Sequence, residues 1–162
     1  MRASLHPSAT VGRNVEFIRA WAERPSLGKY FELEVLKDFY LEDSWVLDIS
    51  ASPGQLVITV EFVLTEEHPS YSPPRAGEQY CYRKGVLVFD AVTDLNWTGQ
   101  LSSRPSRDPD GSVDYGNIGS LIIEGNHYTV EGGLGEIDLH AASVRVALVS
   151  DGTTLHRKST RN

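Results

Sequence analysis

The chain has one cysteine and no partner for it, so it cannot close an internal disulfide, and a disulfide-stapled secreted scaffold is excluded. No apolar run approaches the ~20 residues of a membrane span, and the opening MRASLHPSATVGRN has no apolar stretch of the length a secretory leader needs. Both absences point to a cytoplasmic protein in a reducing compartment. Cys81 lies between Tyr80 and Tyr82 in a strand-like context and is expected to be a buried, inert thiol rather than a nucleophile.

Catalytic signatures are also missing. There is no G-x-S-x-G, no H-E-x-x-H and no G-K-[ST], so no catalytic residue, metal ligand or cofactor is assigned. Gly132-Gly133-Leu134-Gly135 has the composition of a phosphate loop, but Glu136-Ile137-Asp138-Leu139 alternates like a strand where a helix should follow, so the glycines read as a turn. Asp108-Pro109-Asp110-Gly111 resembles part of a calcium loop, yet Ser106 and Asn117 stand where that loop wants an acid or amide and a bidentate glutamate. A type I turn is the simpler reading. Glu66, Glu67 and His68, with Glu78 beyond, read as solvated loop charges.

Positive charge is scarce outside the tail. The net charge is −7, and Arg157, Lys158 and Arg161 against Asp151 make the tail +2, which leaves −9 for residues 1–150. That sign excludes nucleic-acid binding through phosphate neutralisation and suits a basic protein partner. The polar tail 151–162 reads as a flexible basic appendage to a single domain over 1–150. A chain of 162 residues can bury roughly 70% of its unfolded surface without a staple.

What the sequence does hold is strand periodicity. In Leu41 to Leu64, Trp45, Leu47 and Ile49 alternate with polar or smaller residues, and Leu56, Ile58, Val60, Phe62 and Leu64 share one face. With Pro53-Gly54 between the two runs, the expected register is Ala51 with Leu56, Ile49 with Ile58, Leu47 with Val60 and Trp45 with Phe62, closed by a four-residue loop. A second hairpin turns at Gly125-Asn126, pairing Ile123 with Tyr128 and Leu121 with Val130. A strand over 79–90 would put Arg83 in the core beside Gly85, so a β-bulge near Gly85 is expected to return Arg83 to solvent. The alternative holds Arg83 inside a pocket facing an anion. Asp94 to Trp97 is a short strand. Between Glu136 and Val149 the apolar phase changes at Ala141-Ala142, which predicts a bend.

Residues 30–40 fit both strand and helix spacing, and the strand is chosen. Asn14 to Arg24 reads as a short helix stopped by Pro25. The expected fold is mainly β, an antiparallel sandwich or partly open barrel of about six to eight strands with that one N-terminal helix.

If the strands from Trp45 to Trp97 form a simple meander, the long loops 65–78 and 98–117 meet at the end opposite Pro53-Gly54. They would gather Tyr71, Arg75, Trp97, Arg104, Arg107 and Tyr115 into an aromatic and arginine rim of the kind found in protein interfaces. Leu41-Glu42-Asp43-Ser44-Trp45-Val46-Leu47-Asp48-Ile49, a turn, then Leu56-Val57-Ile58-Thr59-Val60 resembles the opening hairpin of small uncharacterised bacterial β-domains, some grouped with toxin-immunity proteins. The resemblance implies a non-catalytic domain that binds another protein. The competing expectation is a small-molecule-binding barrel or enzyme with a pocket near Arg83 or His68.

Overall fold

The computed structural model describes residues 28–101 and 104–150. The expected helix over 14–24 and the tail 151–162 lie outside the described residues. The described chain is mainly β and its sheets are antiparallel. In order, the strands are β1 (Gly28–Lys29), β2 (Phe39–Ser52), β3 (Gln55–Leu64), β4 (Cys81–Asp90), β5 (Asp94–Thr98), β6 (Ser106–Arg107), β7 (Val113–Asp114), β8 (Ile118–Glu124), β9 (His127–Gly132), β10 (Gly135–His140) and β11 (Ser143–Leu148). One sheet runs β11-β4-β3-β2, a second β1-β8-β9-β10-β5, and β6-β7 form a small ladder inside the 98–117 connection. There is no closed barrel among them.

Both large sheets feed one hydrophobic core. Leu56, Ile58, Val60 and Phe62 of β3 and Leu87 and Phe89 of β4 join Leu121, Val130, Ile137 and Leu139 of the second sheet. The Phe89 ring meets Tyr128 edge-on at 5.2 Å. The chain changes sheet at Ala141-Ala142, where Ala141 N–H donates to Asn126 O and Ala142 N–H to Asp90 O, each at 3.0 Å. The break in apolar phase at that pair is therefore a corner. The second hairpin keeps its expected register, Ile123 with Tyr128 and Leu121 with Val130.

The first hairpin departs from expectation beyond Ile49. Ala51 faces Leu56 and Ile49 faces Ile58, but the ladder shifts at Leu47, so Val46 pairs with Val60 and Trp45 with Glu61. One extra residue reverses every side chain after it. Val46 is buried and Trp45, expected inside, is 43% exposed. A second shift follows between Tyr40 and Trp45. It is held by Ser44, whose hydroxyl donates to Tyr40 O at 2.5 Å and accepts from Val63 N–H at 2.9 Å. The turn at Pro53-Gly54 has two residues, not four, since Ser52 pairs with Gln55. Gly54 takes φ +79°, the left-handed value that the position after proline has in a type II turn and that glycine adopts freely.

Three further expectations are corrected. Residues 30–38 do not form a strand: Tyr30–Glu32 is a 3-10 turn, and Leu36 and Lys37 N–H donate to Leu33 O. The segment is drawn in by burial of Tyr30 and Leu36, and the Tyr30 hydroxyl bonds to the Glu42 carboxylate. No bulge interrupts β4, which pairs with β3 without a shift from Gln55–Asp90 to Leu64–Cys81. Finally β5 leaves the meander and pairs with β10 in the other sheet.

Candidate functional site

The loop 65–80 closes the end of the first sheet opposite Pro53-Gly54, and it is tied down residue by residue. Thr65 N–H donates to Asp38 O at 3.0 Å, His68 N–H to Thr65 O at 3.1 Å and Tyr71 N–H to His68 O at 2.9 Å. The His68 ring packs on Phe39 at 4.9 Å, and its Nδ1 accepts the Ser70 amide. Burial there lowers the His68 pKa below the usual imidazole value. Further along, Ser72 N–H points at the buried Cys81 thiol at 3.4 Å. Cys81 is thus the packed thiol its neighbours suggested.

Between this loop, the start of β2 and the end of β3 lies a cleft of about 480 Å³. Tyr40, Tyr71 and Tyr80 line it, Leu64 and Cys81 form its floor, and its charged residues among those described are Glu66 and Glu67. Thr65 also lines it, and the buried Thr65 Oγ1 has no hydrogen-bond partner among the described protein groups. Such a hydroxyl costs free energy until something bonds to it.

The cleft runs onto the outer face of the first sheet. Tyr40 and Tyr82 stand on either side of Val63 in register, and Trp45 and Lys84 flank Glu61 in the neighbouring rung. The Tyr80 and Tyr82 rings meet edge-on at 6.1 Å. Tyr40 is half exposed. Tyrosine rings beside carboxylates form a surface suited to lysine or arginine side chains, which stack on the rings and pair with the acids.

The residues of the expected rim do not form one site. Tyr71 is in the cleft, while Arg75 is exposed further along the same loop, its amide bonded to Glu78. Trp97, on the last rungs of β5, donates from Nε1 to Leu134 O at 2.9 Å, as an anchor of the second sheet. Tyr115 is half-buried, and its amide pairs with Val46 O. Arg104 and Arg107 are exposed in the 98–117 connection, and Arg107 belongs to β6. Asp108 and Asp110 share the Ser112 hydroxyl, and Gly111 N–H closes the expected turn on Asp108 O at 2.9 Å. Arg83 lines a different cavity from Tyr71, and His68 lines neither.

Tyr40, Tyr80, Tyr82 and Thr65 were not singled out from the sequence. The pairing that brings Tyr40 beside the others depends on the two β2 register shifts. Among the described residues no helix is long and apolar enough to cross a membrane. Comparison of the chain with family models, curated proteins and solved structures gives no match.

Proposed function

We propose that this chain is a non-enzymatic β-sandwich domain that works in the cytoplasm by binding another protein. The contact surface is the cleft of Tyr40, Tyr71, Tyr80, Glu66 and Glu67 together with the outer face that carries Trp45 and Tyr82. The partner presents a basic segment. The observation that carries this reading is the lining of the cleft: three tyrosines and two carboxylates, with no lysine or arginine among the described lining residues. The acidic body and the resemblance of the 41–60 hairpin to bacterial β-domains grouped with toxin-immunity proteins support it, an immunity-like role being the specific form.

The test is affinity capture with the native chain and matched variants. Tyr40→Ala and the double change Glu66→Lys with Glu67→Lys should lose a partner that Arg104→Ala and Arg107→Ala retain. Equal recovery by all four would reject the surface.

A further inference from the structure

The side chain of Arg83 occupies a core-side position. On β4 it alternates in phase with Cys81, Gly85, Leu87 and Phe89, and its cross-strand partner is the fully buried Phe62. A guanidinium stays charged at any pH a protein meets, so setting one here costs free energy unless an anion compensates it. Among the described residues Arg83 forms no ion pair. Its hydrogen bonds go to neutral oxygens, Nη1 to Tyr82 O and Nη2 to Ser72 Oγ, both at 2.8 Å. Arg145, on the outer face of the same sheet, is treated differently: its Nε meets Asp90 at 2.6 Å, and Gln55 supports that carboxylate at 2.9 Å.

The guanidinium opens on a cavity of about 380 Å³ walled by Ser70, Leu148, Val149 and Ser150, with no acid among these residues. That size is near the lower end of small-ligand sites. The next inward position on β4 is Gly85, where the carbonyl of Ala147 lies 2.6 Å from the place a Cβ would take, so β11 packs against the bare backbone one step from Arg83. Ser72 holds one arm of the fork in place, and Ser70 stands on the wall.

We infer that this cavity is a binding site for a small oxyanion, a carboxylate or a phosphate group. Arg83 would take it through its remaining N–H donors, with Ser70 as a neutral second contact. Planar forked donors match two-oxygen acceptors, and a half-buried arginine with no ion pair among the described residues provides the charge. The site is separate from the tyrosine cleft on the other flank of the loop, so the two stand or fall independently.

The experiment is a titration of the ¹⁵N-labelled full chain with inorganic phosphate and, separately, with succinate, each against sodium chloride at equal ionic strength. The amides of Ser70, Ser72, Val149 and Ser150 should shift saturably with a millimolar dissociation constant. Arg83→Gln should weaken this about tenfold or more, the loss of a charge-assisted hydrogen bond, and Arg145→Gln should leave it unchanged. Ser72→Ala, which removes the positioning bond but keeps the charge, should weaken it by less, and it serves as the test if Arg83→Gln does not fold. A response to phosphate alone or to succinate alone supports the site and identifies which oxyanion it takes. No saturable shift beyond chloride for either anion, or equal affinity in the native chain and Arg83→Gln, would overturn it.

Discussion

The amide of Val63 donates to the hydroxyl of Ser44 at 2.9 Å across a gap in the ladder between β2 and β3. The bond is buried and replaces the strand pairing lost where residues 41–44 bulge out. Ser44→Ala would leave the Val63 donor and the Tyr40 carbonyl without this partner, at a cost of about 1–3 kcal/mol. Urea unfolding should show a lowered midpoint with an unchanged slope. A change within a few tenths would mean that the bulge is held by something else.

Trp45 and Val46 test the register directly. Because the shift at Leu47 turns Val46 into the core and Trp45 outward, Val46→Ala should cost about 2 kcal/mol. Trp45→Ala should cost less, although it removes far more atoms. Trp45 fluorescence should also be open to acrylamide. The reverse order of the two stabilities would restore the simple alternation.

That alternation marks how far the sequence could be read. Apolar period two identified both hairpins, and Ala141-Ala142 announced the corner, since each feature depends on neighbours along one strand. The β2 bulges were illegible because they are fixed by partners distant in the chain: Val46 N–H donates to Gly116 O and Asn117 Nδ2 to Glu42 O. The cleft was hidden for the same reason. Tyr40 and Tyr82 flank Val63 only after both shifts are counted. Tyr71 was recognisable because it lies on the long loop itself, whereas of the two residues placed with it by a meander Trp97 anchors the second sheet and Tyr115 pairs with Val46 of β2.

Gly135 and Gly111 both have positive φ, but their surroundings differ. A Cβ on Gly135 would lie 2.4 Å from Thr98 O, while one on Gly111 meets nothing within 4 Å. Gly111→Ala should therefore cost about 1 kcal/mol, the price of a left-handed alanine. Gly135→Ala should cost more and lower the thermal midpoint further, because the strand pairing of β10 with β5 must move. Equal losses would show that the approach of the two backbones is not tight.

His127 and His68 should titrate in opposite directions from an ordinary histidine. The Asp138 carboxylate, 2.9 Å from Nε2, raises the His127 pKa, helped by Glu124. Its stabilising effect is complete below the unfolded value of about 6.5 and is lost as pH rises through the raised folded one. His68 is lowered by burial, so its contribution is present above the unfolded value and lost as pH falls through the folded one. Proton NMR of the ring signals checks both, and Asp138→Asn should bring His127 down without moving His68. A His127 signal unaffected by that change would contradict the pairing.

Photo-crosslinking tests the protein-contact surface most directly. A benzophenone amino acid placed at Tyr40 or Tyr80 in the full chain, and at Pro53 on the opposite end of the sheet as control, is irradiated in extract of the source cells. A discrete protein adduct is expected from positions 40 and 80, absent from 53 and abolished when Glu66 and Glu67 are both changed to lysine. Adducts of equal yield at all three positions, or none at 40 and 80, would contradict it.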